Sequence, residues 1–222
     1  MQYPINEVFE TIQGEGVNTG LPAIFVRLQG CPVGCPWCDT RHTWEQTPEN
    51  EVPAEQVLQT DGQLGRWAWY DAETLLQAFQ QKSFSAKHVV LTGGEPCLFD
   101  LVELTNSLNH AGYTTQIETS GTFEVKCSQS TWVTVSPKIG MKGGLNVQSQ
   151  ALARANEIKH PVATQRHIEQ LESLLEGVDL TGKVVCLQPI SQKPNATALA
   201  IKECIAHNWR LSVQTHKYLQ ID

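Results

Sequence analysis

Three of the seven cysteines fall within eight residues, Cys31-Pro32-Val33-Gly34-Cys35-Pro36-Trp37-Cys38, while Cys97, Cys127, Cys186 and Cys204 stand alone. Gly30, Pro32, Gly34 and Pro36 oppose helix and strand alike, so the segment is a tight loop whose thiolates fold around one centre. Zinc and iron both suit such a loop. A structural zinc takes four ligands, and His42, four residues past Cys38, would complete a Cys3His set. An iron-sulfur cluster ordinarily takes four cysteines. No fourth cysteine lies nearby, so a cubane held here keeps one iron without a protein ligand, open to a substrate or cofactor.

At 222 residues the chain suits one well-buried core, and we expect one domain over 1–222. The formal net charge is −7 and no Lys/Arg-rich run appears, which argues against a nucleic-acid-binding surface. Met1 to Glu7 lacks the basic segment and apolar run of a signal peptide, and no apolar stretch reaches membrane-spanning length. The expectation is a soluble, cytoplasmic protein with reduced thiols, which suits an oxygen-sensitive cluster.

Ala23 to Leu28 reads as a buried strand interrupted by Arg27, and it runs into the cysteine loop. A charge there either pairs with a carboxylate or faces a site and grips an anion bidentately. Before it, Gly14-Glu15-Gly16 is a turn. Residues 41–70 read as an irregular insertion over the core, with Trp67, Trp69 and Tyr70 packing. Asp71 caps a helix with Leu75, Leu76 and Phe79 inward. The strand His88 to Thr92 opens into Gly93-Gly94-Glu95-Pro96. A helix follows with Leu101, Leu104 and Leu108 inward, closed by Gly112.

The unit then repeats. Strands are expected at 114–118, 132–135, near 158–160, at 184–187 and at 210–213. Between them come helices at about 149–156, around Ile168, Leu171, Leu174 and Leu175, and from Asn195 with Ala198, Ile201, Cys204 and Ile205 inward. Alternating strands and helices imply a parallel α/β sheet, and six or seven strands curl into an open, partial barrel. The cysteine loop, Gly93 to Pro96, Thr119 to Gly121, Ser136 to Lys138, Gln188-Pro189 and Gln214 to Lys217 each follow a strand. All six therefore converge on one face, where such folds bind ligands.

The Cys-x3-Cys-x2-Cys spacing, with Trp37 before the last cysteine, resembles the signature of the radical S-adenosylmethionine (SAM) superfamily, and Gly93 to Pro96 resembles its glycine-rich second motif. With Glu15, Arg27, Thr40 and Gln214 to Lys217 added, the whole chain resembles the 7-carboxy-7-deazaguanine synthase family, which implies an incomplete α/β barrel, a homodimer and a place in queuosine-precursor biosynthesis. The activity implied is a carbon-nitrogen lyase that ring-contracts 6-carboxy-5,6,7,8-tetrahydropterin to 7-carboxy-7-deazaguanine with loss of ammonia, fed electrons by a flavodoxin- or ferredoxin-type donor. The resemblance implies that Cys31, Cys35 and Cys38 hold a 4Fe-4S cluster. It implies that Trp37, Cys38, Asp39, Gly94, Glu95, Ser136, Pro137, Lys138 and Gln188 bind SAM. Ile12, Gln13, Gly14, Glu15, Arg27, Thr92 and His216 would bind substrate, and Thr40 would ligate Mg2+. For Lys138 a solvated strand end, for Thr40 an ordinary loop hydroxyl and for His216 a local hydrogen bond stay open as alternatives. Two other activities stay open as well: a glycyl-radical-activating enzyme, sharing the loop, and a zinc-binding interaction module using His42.

Overall fold

The computed structural model describes residues 1–59 and 65–221. The chain runs β1 (Tyr3–Ile12), β2 (Pro22–Leu28), α1 (Ala54–Val57), β3 (Ala68–Tyr70), α2 (Ala72–Gln81), β4 (His88–Gly93), α3 (Val102–His110), β5 (Thr114–Thr119) and β6 (Trp132–Val135). It continues through α4 (Ser149–Arg154), β7 (Glu157–Val162), α5 (Gln165–Leu175), β8 (Val184–Pro189), α6 (Pro194–His207), β9 (Arg210–Leu211) and α7 (Thr215–Leu219). One sheet takes all nine strands in the order β3-β1-β2-β4-β5-β6-β7-β8-β9. From β2 to β9 every neighbour pairs parallel, whereas β1 pairs antiparallel with both β2 and β3. The result is the expected open, incomplete α/β barrel, extended by two antiparallel strands.

Period-two alternation divides each strand between two environments. Ile24, Val26 and Leu28 point outward into an apolar cluster with Leu75, Phe79, Leu101, Leu104 and Leu108 from the helix layer. A second cluster joins Val133, Val135, Ile158 and Val162 to Ile168, Leu171 and Leu175 of α5. The intervening positions, Phe25, Arg27, Glu118, Lys159 and Pro161, line a central cavity instead. Asp71 caps α2 as expected, its carboxylate accepting from the Thr74 amide at 2.8 Å.

The structure corrects four expectations. β1 was not anticipated, because its mixed sequence Tyr-Pro-Ile-Asn-Glu-Val-Phe-Glu-Thr-Ile has no apolar run. The 41–70 insertion holds α1 and the edge strand β3, where Trp67 and Tyr70 pack inside while Trp69 is partly exposed; its residues 60–64 lie outside the described residues. α6 turns Ala196, Ala200, Glu203 and Cys204 inward, leaving Ala198, Ile201 and Ile205 outside. Three small residues at four-residue intervals let the helix lie close on the sheet, and larger side chains at those positions would hold it off. The final strand is two residues long, and Gln214 to Lys217 lead into α7.

Candidate active site

The strand ends open on a cavity of about 850 Å3, lined by every expected site residue except Pro137, which lies buried behind Ser136 and Lys138. Cys31, Cys35 and Cys38 all line this cavity. Burial pushes the Cys31 thiol up to about 11 and raises Cys35 as well, so both are protonated until a metal displaces the proton. Among the described residues no three His, Cys, Asp or Glu side chains are gathered tightly enough to hold one metal ion. A single zinc would draw all its sulfurs to about 2.3 Å of one atom. A cubane takes each thiolate at a separate corner, so its ligands stand farther apart, and three thiols that line one cavity without gathering at a single point suit that arrangement.

The glycine motif braces the cysteine loop. Gly94 donates to Leu28 O at 3.0 Å, Glu95 donates to Gly30 O at 2.8 Å, and a Cβ on Gly94 would stand 2.2 Å from Gly30 O. Only glycine lets these two chains meet. Glu95, expected to bind SAM, does not offer a free carboxylate. Its Oε1 accepts from Cys97 N (2.9 Å) and Thr119 Oγ1 (2.6 Å), and its Oε2 from Ser120 N (2.8 Å) and the Ser120 hydroxyl. With four donors the group is saturated, and it ties the β4 loop to the β5 loop. Ser136 accepts from Lys138 Nζ at 2.7 Å. Lys138 is not a solvated strand end: burial holds its ammonium below the usual range, while Cys35 works the other way.

The expected substrate residues line the same cavity. Arg27 donates from Nε to Glu7 Oε2 at 2.9 Å and leans over Phe9, so the pairing and site-facing readings both hold. That bond uses one guanidinium donor, and those of the terminal nitrogens remain. Gln13 is 3 % exposed; its Oε1 accepts from the Glu15 amide, and its Nε2 has no acceptor in the protein. A buried orphan donor on a cavity wall is a place for a ligand oxygen. The Gln13 to Glu15 turn is tied to the C-terminal segment: Thr215 donates to Gly14 O from its amide and its hydroxyl, both at 2.9 Å. This tie brings His216 against Gly14, on the cavity.

The centre of the site was not foreseen. Lys159, on β7 and 4 % exposed, donates to Glu15 Oε2 at 2.7 Å and Glu118 Oε2 at 3.0 Å. Gln214 donates to Glu15 Oε1 (2.8 Å) and Gln116 to Glu118 Oε1 (2.8 Å). Burial works against the Glu15 carboxylate, but Lys159 outweighs it and holds the carboxyl down at about 2. For Glu118 burial prevails over Lys159, with Glu15 and Glu157 repelling it too, and its carboxyl is pushed up to about 7. Lys159 itself stays charged, since its two carboxylates overcome its burial. The only signal in the sequence was a polar residue at an inward register position of a strand.

Residues 25–127 match the Radical SAM superfamily. The chain is 58% identical to the 7-carboxy-7-deazaguanine synthase of Escherichia coli (strain K12) over 222 residues, covering all of both chains. It is 46% identical over 222 residues to that of Buchnera aphidicola subsp. Schizaphis graminum, again covering all of both. The crystal structure of QueE from Escherichia coli matches at a TM-score of 0.94 and 57% identity, covering 96% of this chain and 94% of that one.

Proposed function

The chain belongs to the 7-carboxy-7-deazaguanine synthases, radical SAM lyases of queuosine biosynthesis, and on that premise we propose how its residues divide the work. The zinc-module and glycyl-radical-activating alternatives fall with that membership. A 4Fe-4S cluster and SAM are its cofactors and 6-carboxy-5,6,7,8-tetrahydropterin its substrate. When bound, cluster and SAM supply a 5′-deoxyadenosyl radical for hydrogen abstraction at the pterin C6; the protein supplies binding and orientation.

Cys31, Cys35 and Cys38 would hold the cluster through their thiolates. The methionine ammonium of SAM meets backbone carbonyls at Gly94, because Glu95 is saturated and serves to hold that loop in shape. Ser136, Lys138 and Gln188 contact the rest of SAM, Pro137 fixes Ser136 and Lys138 from behind, and Trp37 and Asp39 meet the adenine through backbone. Arg27 receives the substrate carboxylate on its terminal nitrogens. Glu15, kept ionised by Lys159, accepts from the N–H edge of the pterin, and Gln13 Nε2 donates to its carbonyl. Ile12 and Gly14 offer backbone groups, and Thr92 and His216 close the pocket. Thr40 would offer Mg2+ a hydroxyl oxygen, the hard donor that ion prefers.

One observation carries this division: a single cavity is lined by three thiols, by a cation for the carboxylate and by a lysine-held acceptor for the N–H edge. Among the described residues no helix is long and apolar enough to cross a membrane, and the reading includes a cytoplasmic homodimer reduced by a flavodoxin- or ferredoxin-type donor. The test is anaerobic reconstitution with iron and sulfide, then SAM, reductant, Mg2+ and the carboxytetrahydropterin, with products followed by mass spectrometry. Arg27→Ala and Glu15→Gln should each raise KM while SAM binding is retained. If both variants turn over at wild-type KM, the substrate assignments are wrong.

A further inference from the structure

Trp44 touches both ends of the cysteine loop. Its carbonyl accepts from Cys31 N at 2.9 Å and its indole Nε1 donates to Cys38 Sγ at 3.3 Å. The segment that presents it is pinned on every side. Gly30 N donates to Thr43 O at 2.7 Å, the buried Gln29 side chain donates to His42 O (2.9 Å) and Glu45 O (2.7 Å), and Thr43 Oγ1 donates to Thr40 O at 2.7 Å. Arg41 donates to Pro36 O within the loop and lays its guanidinium 5.7 Å from the Trp44 ring centroid. The backbone that carries the indole is therefore fixed against the loop, and the ring itself is held between Cys38 Sγ and the Arg41 guanidinium. Thr40 Oγ1 lies 3.6 Å from the same sulfur, so two polar hydrogens can converge on Cys38.

We propose that Trp44 is the positioning residue for the Cys38 thiolate and that its indole N–H sets the reduction potential of the cluster. A hydrogen bond to a ligand sulfur draws electron density from it, which stabilises the more negative, reduced cluster and raises its potential. The inference rests on the cluster assignment above, and it differs from a packing role because a single hydrogen carries it.

The test replaces Trp44 by β-(3-benzothienyl)alanine, which keeps the bicyclic shape and substitutes sulfur for N–H, and in parallel makes Trp44→Phe. Iron and sulfide content, the melting temperature of the apoprotein and the reduced fraction of the reconstituted cluster at fixed electrochemical potential are measured. Removing the N–H should lower the reduced-to-oxidised ratio about tenfold, which for one electron is a shift of about 59 mV to more negative potential. Loss of the cluster from an isosteric variant whose apoprotein melts like wild type supports the same role. A ratio unchanged in the isostere overturns the proposal, as does a change seen only in Trp44→Phe, which would be packing. Failure of the wild type to assemble any cluster overturns the cluster assignment and this inference with it.

Discussion

Replacing Lys159 by Met tests whether the cavity floor is a charge cluster maintained at a cost or a set of fortuitous contacts. Met matches the stem and removes the ammonium that bridges Glu15 and Glu118, leaving the two carboxylates without the cation that bonds both. A carboxyl drawn from its usual 4.5 to about 2 represents about 3 kcal/mol of stabilisation of its charged form. Removing one partner of a buried pair typically costs about 3–5 kcal/mol, so the two routes agree in size. For a chain of this length that corresponds to a melting temperature lower by about 10 °C at neutral pH.

The pH dependence distinguishes this from a cavity. In the native protein Glu15 is depressed, so its stabilisation is complete above about 4.5 and is lost only as pH falls toward about 2. Glu118 is raised, so its contribution runs the other way, and native stability falls as pH rises from about 4.5 through about 7. Without Lys159 both carboxyls shift upward and take protons before the wild type does, so the deficit should shrink as pH falls to about 5. The triple variant Lys159→Met, Glu15→Gln, Glu118→Gln should recover most of the loss. Melting curves at the two pH values decide the matter: a deficit below about 2 °C at neutral pH, or one constant down to about pH 5, would refute the argument.

Other outcomes follow from the loops. Cys35→Ala should abolish cluster-dependent turnover while changing stability by only about 1 kcal/mol, read by iron content and urea denaturation. Glu95→Gln sets an amide N–H2 against donors that now meet a carboxylate oxygen, and should cost about 3 kcal/mol in the same denaturation experiment. In Gly143→Ala the new Cβ would stand 2.0 Å from Pro32 O, where the 138–147 segment straps the cysteine loop through Gly143 N to Val33 O. Overpacking of about 1–3 kcal/mol should appear there as reduced iron and sulfide loading with an unchanged far-ultraviolet spectrum.

What the sequence disclosed about the fold follows from burial on both faces. β4 and β8 read plainly because their outward residues pack under helices and their inward ones are largely apolar or neutral, giving continuous runs. β1 carries Asn6, Glu7 and Glu10, each with a specific partner: Asn6 donates to Arg66 O, Glu7 accepts from Arg27, and Glu10 accepts from the amides of Ser85 and Ala86. Those partners come from elsewhere in the chain, so no local pattern could mark the strand. α6 misled for a related reason, since close approach to the sheet selects the small Ala196, Ala200 and Cys204 over the larger Ile201 and Ile205.

The site divides in the same way. Cys31, Cys35, Cys38, Gly94 and Ser136 sit in loops whose composition has a meaning before any folding, because glycine, proline and clustered thiols constrain the backbone directly. Lys159 and Glu118 are single polar letters in strands, and the same letters would appear if those positions faced water. Closure of the sheet alone makes them neighbours of Glu15, which lies 144 residues from Lys159. Trp44 shares that property at short range: its meaning depends on the segment folding back so that carbonyl and indole reach Cys31 and Cys38 together. Loop composition that constrains the backbone directly is thus legible in the chain, and side chains that act on one another across the sheet become so only once the barrel has formed.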